Sequence, residues 1–169
     1  MRASPMISTM AASMARHLLL GIEALARRIA PPVMRIALAL PFLRSGLTRW
    51  DGFLSLSLGT QFLFEEQFKL HVFGSEYALP APDELALVTA IAEIVLPILL
   101  IAGLGTRFAA LGLLIMTGVI QLVFPDGWSN FHLYWAALAL GIIALGPGSL
   151  SLDHWIGRNV AGSGWTGAK

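Results

Sequence analysis

The sequence predicts an all-α membrane protein, a four-transmembrane-helix bundle preceded by an amphipathic interfacial helix. Three observations lead there. The 169 residues are 56% hydrophobic and only 12% charged, with a mean hydropathy of +0.74, a balance outside the range of soluble domains. Four apolar stretches, at about 30–47, 85–103, 108–124 and 131–146, are separated by turns or by one longer polar segment. The most apolar of them, ELALVTAIAEIVLPILLIAGLGT, holds a glutamate, Glu93, at its middle.

Residues 1–29 form the predicted arm. From Met6 to Ala30 the side chains of Ile7, Met10, Met14, Leu18, Leu25 and Ile29 share one helical face, and Arg16, Glu23 and Arg27 share the opposite one. Such a helix is expected to lie in the membrane interface with its arginines toward lipid headgroups. A signal peptide is the rival reading. The apolar run LLLGI is short, however, and is followed by Glu23 and two arginines with no small-residue cleavage site, so the arm is expected to be retained.

Residues 30–153 form the predicted membrane domain. Span one, APPVMRIALALPFLRSGL, carries Arg35, Pro41 and Arg44. Arg35, Phe42, Gly46 and Arg49 fall on one face and Arg44 points roughly the other way. Both arginines can extend toward opposite interfaces, their stems in the apolar layer and their heads in water; a buried pairing is the alternative for Arg35. The connection Trp50–Asp83 is too polar to span a bilayer. FLSLSL alternates as a strand would, whereas FLFEEQFKLHVF fits a short interfacial helix anchored by Phe62, Phe64, Phe68 and Phe73, which is the preferred reading. Glu65, Glu66 and His71 lack a recognised metal-ligand spacing and are read as solvated surface charge.

Span two, Leu85–Gly103, is nineteen residues, or about 28 Å as a helix, close to the thickness of a bilayer's hydrocarbon core. A carboxyl at mid-span costs ~2.5 kcal/mol or more, so Glu93 should face the bundle interior and have a partner. Ala86, Thr89, Ala90, Glu93 and Pro97 make one stripe of small and polar residues, the expected protein-facing side. Pro97 has no N–H for the Glu93 carbonyl, which frees a second acceptor at that depth. Arg35 lies about 7 Å to one side of Glu93 along antiparallel helices and Arg44 about 6 Å to the other. Arg35 is the expected partner, because it shares a face with Gly46, where another helix can approach.

Gly105-Thr106-Arg107 is a tight turn into span three, Phe108–Phe124, giving an antiparallel hairpin. Gly112 and Gly118 permit close approach, and Gln121 is placed to make an interhelical hydrogen bond. PDGWSN is a turn. Span four starts near Phe131, with Trp128, His132, Tyr134 and Trp135 as an aromatic belt and His132 read as an interfacial hydrogen-bonding residue. It ends at Gly146-Pro147-Gly148, and residues 154–169 form a short polar tail expected in the cytoplasm. Arg2, Arg16, Arg27, Arg28, Arg107, Arg158 and Lys169 lie before span one, in the second turn and in the tail, while the other two connections hold only Arg49 and Lys69. Both termini are therefore expected on the cytoplasmic side of a bacterial inner membrane.

The chain has no cysteine, which excludes disulfides, thiolate nucleophiles and an iron–sulfur cluster held by this chain alone. Of its four histidines, His17, His71, His132 and His154, only His132 falls inside a span, so no bis-histidine haem is expected. The composition gives no support for nucleic-acid binding. No metal site and no catalytic residue is assigned. The polar intramembrane residues Glu93, Arg35, Arg44, Gln121 and His132 are the candidate site.

The pattern Arg35-x6-Phe42-x3-Gly46-x2-Arg49, followed by Glu93, by Gly103-Leu104-Gly105-Thr106-Arg107-Phe108-Ala109-Ala110 and by Gly146-Pro147-Gly148-Ser149-Leu150-Ser151-Leu152-Asp153, resembles the DoxX family of bacterial membrane proteins from about Arg35 to Asp153. The resemblance implies a four-helix inner-membrane protein linked to redox complexes, since relatives include a subunit of a thiosulfate:quinone oxidoreductase and a membrane partner in an oxidative-stress assembly. It implies soluble or membrane redox partners besides the lipid bilayer, is compatible with an oligomer, and makes a quinone the candidate ligand. At most it implies a non-catalytic or quinone-contacting subunit of an oxidoreductase. The alternative is a membrane anchor or assembly scaffold for soluble enzymes, whose buried charges only specify helix packing. A small transporter ranks lowest, because Pro41 and Pro97 break spans one and two without a matching pattern in spans three and four.

Overall fold

The computed structural model describes the backbone of residues 5–163 and the side chains of residues 12–159. Arg2, Lys169 and the side chains of Ile7 and Met10, all used above, lie outside the described residues.

The first helix, α1 (Pro5–Leu47), is 43 residues long and contains Pro31, Pro32 and Pro41. The boundary expected near residue 30 thus falls inside one unbroken helix, although Pro31 and Pro32 each remove an amide donor. Packing, not helix geometry, marks the change. Residues 12–29 are exposed throughout, and burial begins at Ala30. Met14, Leu18, Leu25 and Ile29 stand clear of the bundle, and Glu23 accepts a hydrogen bond of 2.7 Å from Arg27 one turn away.

After α1 come two small antiparallel hairpins with a helical turn between them. Strands β1 (Trp50–Gly52) and β2 (Ser55–Leu56) pair first. A short helix, α2 (Leu58–Phe62), runs into a π-helical turn at Leu63–Gln67. Strands β3 (Lys69–Val72) and β4 (Ser75–Ala78) then pair with Val72 opposite Ser75. The interfacial helix expected over FLFEEQFKLHVF therefore stops at Gln67, and its second half is a strand. Phe68 is extended, and Phe73-Gly74 takes positive φ at both residues, 50° and 81°, the geometry of a two-residue type I′ hairpin turn. Phe62 and Phe73 are exposed as anchors would be. Phe64 instead is buried, and Phe68 stacks edge-on against it and against Phe124 at ring separations of 5.0 and 5.2 Å.

Helix α3 (Pro82–Ala102) and helix α4 (Thr106–Val123) form the hairpin that the sequence predicts. Gly103, at φ 73°, lets the chain leave α3, and the Leu104 N–H closes on the Leu99 carbonyl at 3.0 Å, a glycine-capped helix end. A 3-10 turn (Pro125–Gly127) and a π turn (Trp128–His132) lead into α5 (Leu133–Leu145), so helical structure starts six residues ahead of the predicted fourth span. Among the described residues three stretches are long and apolar enough to cross a membrane: Pro82–Ala102, Thr106–Val123 and Pro125–Leu145. The stretch 30–47 is not one of them. The polar tail, as far as it is described, is helical from its start, as α6 (Leu152–Ser163).

The core is built from Leu38, Ala39 and Phe42 of α1, Leu100 of α3, Ala109, Ala110 and Leu113 of α4, and Ala139 and Ile142 of α5. Four of these nine are alanine, which lets helix backbones approach closely where lipid supplies no hydrophobic drive for association. Helices α1 and α3 approach closely at Gly46. A β-carbon there would lie 2.9 Å from the Glu93 carbonyl carbon, oxygen and Cβ, so α1 and α3 touch at Gly46 and Glu93 and nothing larger than glycine fits. That contact fixes the register on which the site depends.

Candidate functional site

Because Gly46 seats against the backbone of Glu93, the chain just beyond it decides what the buried carboxylate meets. Helix α1 ends at Leu47, and the N–H groups of Thr48 and Arg49 fold back onto the carbonyls of Ser45 and Gly46. This turn brings Arg49 over Glu93. Arg49 donates from Nε to Oε2 and from Nη2 to Oε1, the latter at 2.9 Å, a two-bonded fork whose planar geometry matches a carboxylate. The Glu93 side chain is 3% exposed and that of Arg49 13%. Nη2 also reaches Ser45 Oγ at 3.3 Å, and the Phe64 ring lies 5.3 Å beneath Cζ. The Arg49 carbonyl accepts from Ser57 N–H and Thr60 Oγ1, so the polar connection pins the arginine from its other side.

The expected pairing of Glu93 with Arg35 is thus incorrect, and so is the Arg44 alternative. With Gly46 opposite Glu93, Arg35 lies eleven residues back, about 16 Å along α1. Arg44 is exposed. The clue is present in the sequence: Gly46 is the expected point of helix approach, and Arg49, one turn beyond it, shares its face.

Arg35 serves a second polar centre at the other end of the bundle. It is 2% exposed, and its Nη2 donates to the Leu150 carbonyl. Asp153 lies nearby and caps α4, accepting from the N–H groups of Gly105 at 2.7 Å and Thr106 at 2.9 Å, while its own N–H donates to the Gly103 carbonyl at 2.9 Å. Gly148 packs on Pro31, and Arg107 lies beside Gly146. The motif residues Gly103 and Asp153, widely separated in sequence, thereby meet at Arg35, and Thr106 joins them through Asp153.

Burial pushes the Asp153 carboxyl up, but the hydrogen bonds from Thr106 and Gly105 and the Arg35 charge outweigh it and hold the group below its ordinary value of 3.8. A carboxyl depressed in the folded state stabilises at pH values above its unfolded pKa and loses that contribution as pH falls through the folded one. The stability difference between the wild type and Asp153→Asn should therefore be full above pH 3.8 and shrink progressively below it. Melting in detergent across that range checks this.

Gln121 and His132, each singled out in the sequence, meet one another. His132 is 4% exposed, and its Nδ1 lies 2.6 Å from Gln121 Oε1. His71 bonds the Leu122 carbonyl at 3.3 Å and approaches Glu76 at 3.4 Å, leaving Glu65 and Glu66 exposed. Among the described residues no group of three His, Asp or Glu is placed to hold a metal ion.

Between the Arg49–Glu93 pair and His132 lies a cavity of about 470 Å³, walled also by Phe42, Phe64, Phe68 and Trp135. Its size is that of a small-molecule site, mostly apolar with a few convergent polar groups. Trp135 packs against Phe42 at 5.1 Å and against the His132 ring at 5.4 Å. Thr89, foreseen on the polar stripe of α3, also faces it. The aromatic walls from the connection and the π turns were not foreseen. A second cavity of about 300 Å³ beside Trp50, Phe53 and Ile91 has no ionisable lining.

The sequence model of one family, DoxX, matches residues 30–126. The match covers Arg35 and Arg49, Glu93 and the α3–α4 hairpin, and it stops before α5 and the GPGSLSLD segment that completes the Arg35 centre. No curated protein and no solved structure matches the chain.

Proposed function

We propose that this chain, which belongs to the DoxX family of membrane proteins, is a quinone-contacting membrane subunit of a redox complex. The observation that carries the reading is the buried Arg49–Glu93 pair set in the wall of an aromatic cavity of about 470 Å³. A buried ion pair is weak support for stability as such. One placed on a cavity at membrane depth supports a polar task there.

The residues fit a flat, apolar ring carrying oxygens. Phe42, Phe64 and Trp135 offer aromatic faces, and Arg49, with Nε and Nη2 committed to Glu93, keeps Nη1 to donate to a ring oxygen. Glu93 holds the guanidinium in place and is the adjacent carboxylate for a proton exchanged with that oxygen. A bound quinone would supply the capacity to take up two electrons and two protons. No haem enters this reading, because His132 has no second intramembrane histidine. Extraction in mild detergent followed by mass spectrometry should find quinone near one per chain; its absence from preparations that retain other lipids would overturn the proposal.

The proposal includes four spans in an inner membrane. The fourth is the part of α1 from Ala30 to Leu47, which packs on α3 and α5 and leaves Val33, Ile36 and Leu40 exposed as lipid-facing side chains. Both termini are then cytoplasmic, with the β hairpins and the Pro125–Asn130 turn outside. Single cysteines at the exposed positions Ser75 and Ser129 should react with an impermeant thiol reagent in spheroplasts, and cysteines at Ser13 and Ser149 should not. The chain's lack of cysteine leaves the assay without background, and the opposite pattern would reverse the assigned sides.

A further inference from the structure

Besides the Arg49–Glu93 pair, the cavity wall carries one other ionisable side chain, His132. Its protonation pattern follows from the groups behind it. Gln121 Nε2 donates to the Pro125 carbonyl at 2.9 Å, and a carbonyl can only accept, so the orientation of the amide is fixed. Its oxygen therefore faces His132 Nδ1, at 2.6 Å. That oxygen can also only accept, so Nδ1 carries the ring proton. In the neutral imidazole Nε2 is then a lone pair with no proton to give. Trp135 on one side and Gly127 on the other hold the ring in place.

We infer that His132, positioned by Gln121, is a fixed hydrogen-bond acceptor that makes the cavity select the dihydroxy, reduced form of its ligand over the dicarbonyl, oxidised form. The inference rests on the quinone reading above and adds a preference between the two forms. Arg49 Nη1 can only donate, and His132 Nε2 can only accept. A quinol satisfies both, since one hydroxyl oxygen accepts from Arg49 while the other hydroxyl donates to His132. A quinone has only acceptors. It gains at Arg49 and leaves the His132 lone pair desolvated and unpaired, the situation in which a polar site discriminates strongly between related ligands.

The test measures binding of a short-tailed quinol and its matching quinone to the purified full chain in nanodiscs, by calorimetry, together with the midpoint potential of the bound couple. The quinol should bind about tenfold more tightly, which is one hydrogen bond to an otherwise unpaired buried acceptor. Preferential binding of the reduced form raises the midpoint potential, here by about 30 mV for a two-electron couple. His132→Phe should equalise the two affinities and abolish the shift. Gln121→Leu keeps the imidazole but frees its tautomer, and should diminish both effects even if His132→Phe fails to fold. Equal affinities in the wild type, or tighter binding of the quinone, would overturn the inference and leave the quinone site standing. Selectivity retained in a folded His132→Phe or unchanged in Gln121→Leu would do the same, and no binding of either form would overturn both readings.

Discussion

Replacing Glu93 by leucine is expected to destabilise the folded protein by about 3 to 5 kcal/mol, the usual cost of stranding one member of a buried ion pair. The stranded group is Arg49, whose Nε and Nη2 lose both carboxylate oxygens. Removing the second charge as well relieves most of this cost, because two apolar side chains of similar volume replace a pair that was costly to desolvate. Glu93→Leu with Arg49→Leu should therefore recover much of the lost folded protein, read as monodisperse yield and melting temperature in detergent. Adding Arg35→Leu to Glu93→Leu should recover nothing, since Arg35 belongs to the centre at the other end of the bundle. Rescue by Arg35→Leu would mean that the register set by Gly46 is wrong.

The second large effect is expected at Asp153. Its carboxylate satisfies two amides at the start of α4 and supplies the nearest negative charge to the buried Arg35. Asp153→Ala removes a helix cap, worth about 0.5–2 kcal/mol, and also leaves Arg35 less compensated, so a loss of about 2 kcal/mol or more is expected. Asp153→Asn retains one accepting oxygen and should recover part of the cap but none of the charge. If alanine and asparagine at this position melt together with the wild type, Asp153 does not couple the C-terminal segment to the α3–α4 turn.

Much of this architecture was legible in the sequence, for reasons that differ by element. Helices α3 and α4 lie within three residues of the spans the sequence predicts, because long apolar runs bounded by Asp83, by the glycines around Leu104 and by Pro125 leave little choice. The burial of Glu93 followed from its depth alone. Its partner did not follow. Axial distances counted from predicted span ends carry an error of several residues, and two arginines fell within that error. Only the contact at Gly46 fixes the register, and it points to the arginine after the helix end. The connection was harder still: Phe64, Phe68 and the type I′ turn at Phe73-Gly74 depend on which aromatic rings fold inward, and a run of spaced phenylalanines fits a helix, a strand or both. The length of α1 is hidden in the sequence because the amphipathic pattern up to Ala30 and the apolar pattern after it read as two elements.

The convergence of Arg35, Gly103 and Asp153 shows a further limit. Each was marked as part of a motif, yet motif membership carried no distance. Only the fold reveals that the GLGT turn and the GPGSLSLD segment are two halves of one polar clamp.

The most direct test of the cavity as a quinone site compares saturable binding of a short-tailed quinone to the wild type and to the folded Glu93→Leu, Arg49→Leu double variant. One-to-one binding by the wild type, weakened at least tenfold in the double variant while its melting temperature stays close to the parent's, is the expected result. Equal affinity in the two proteins, or no saturable binding to the wild type, would contradict the account.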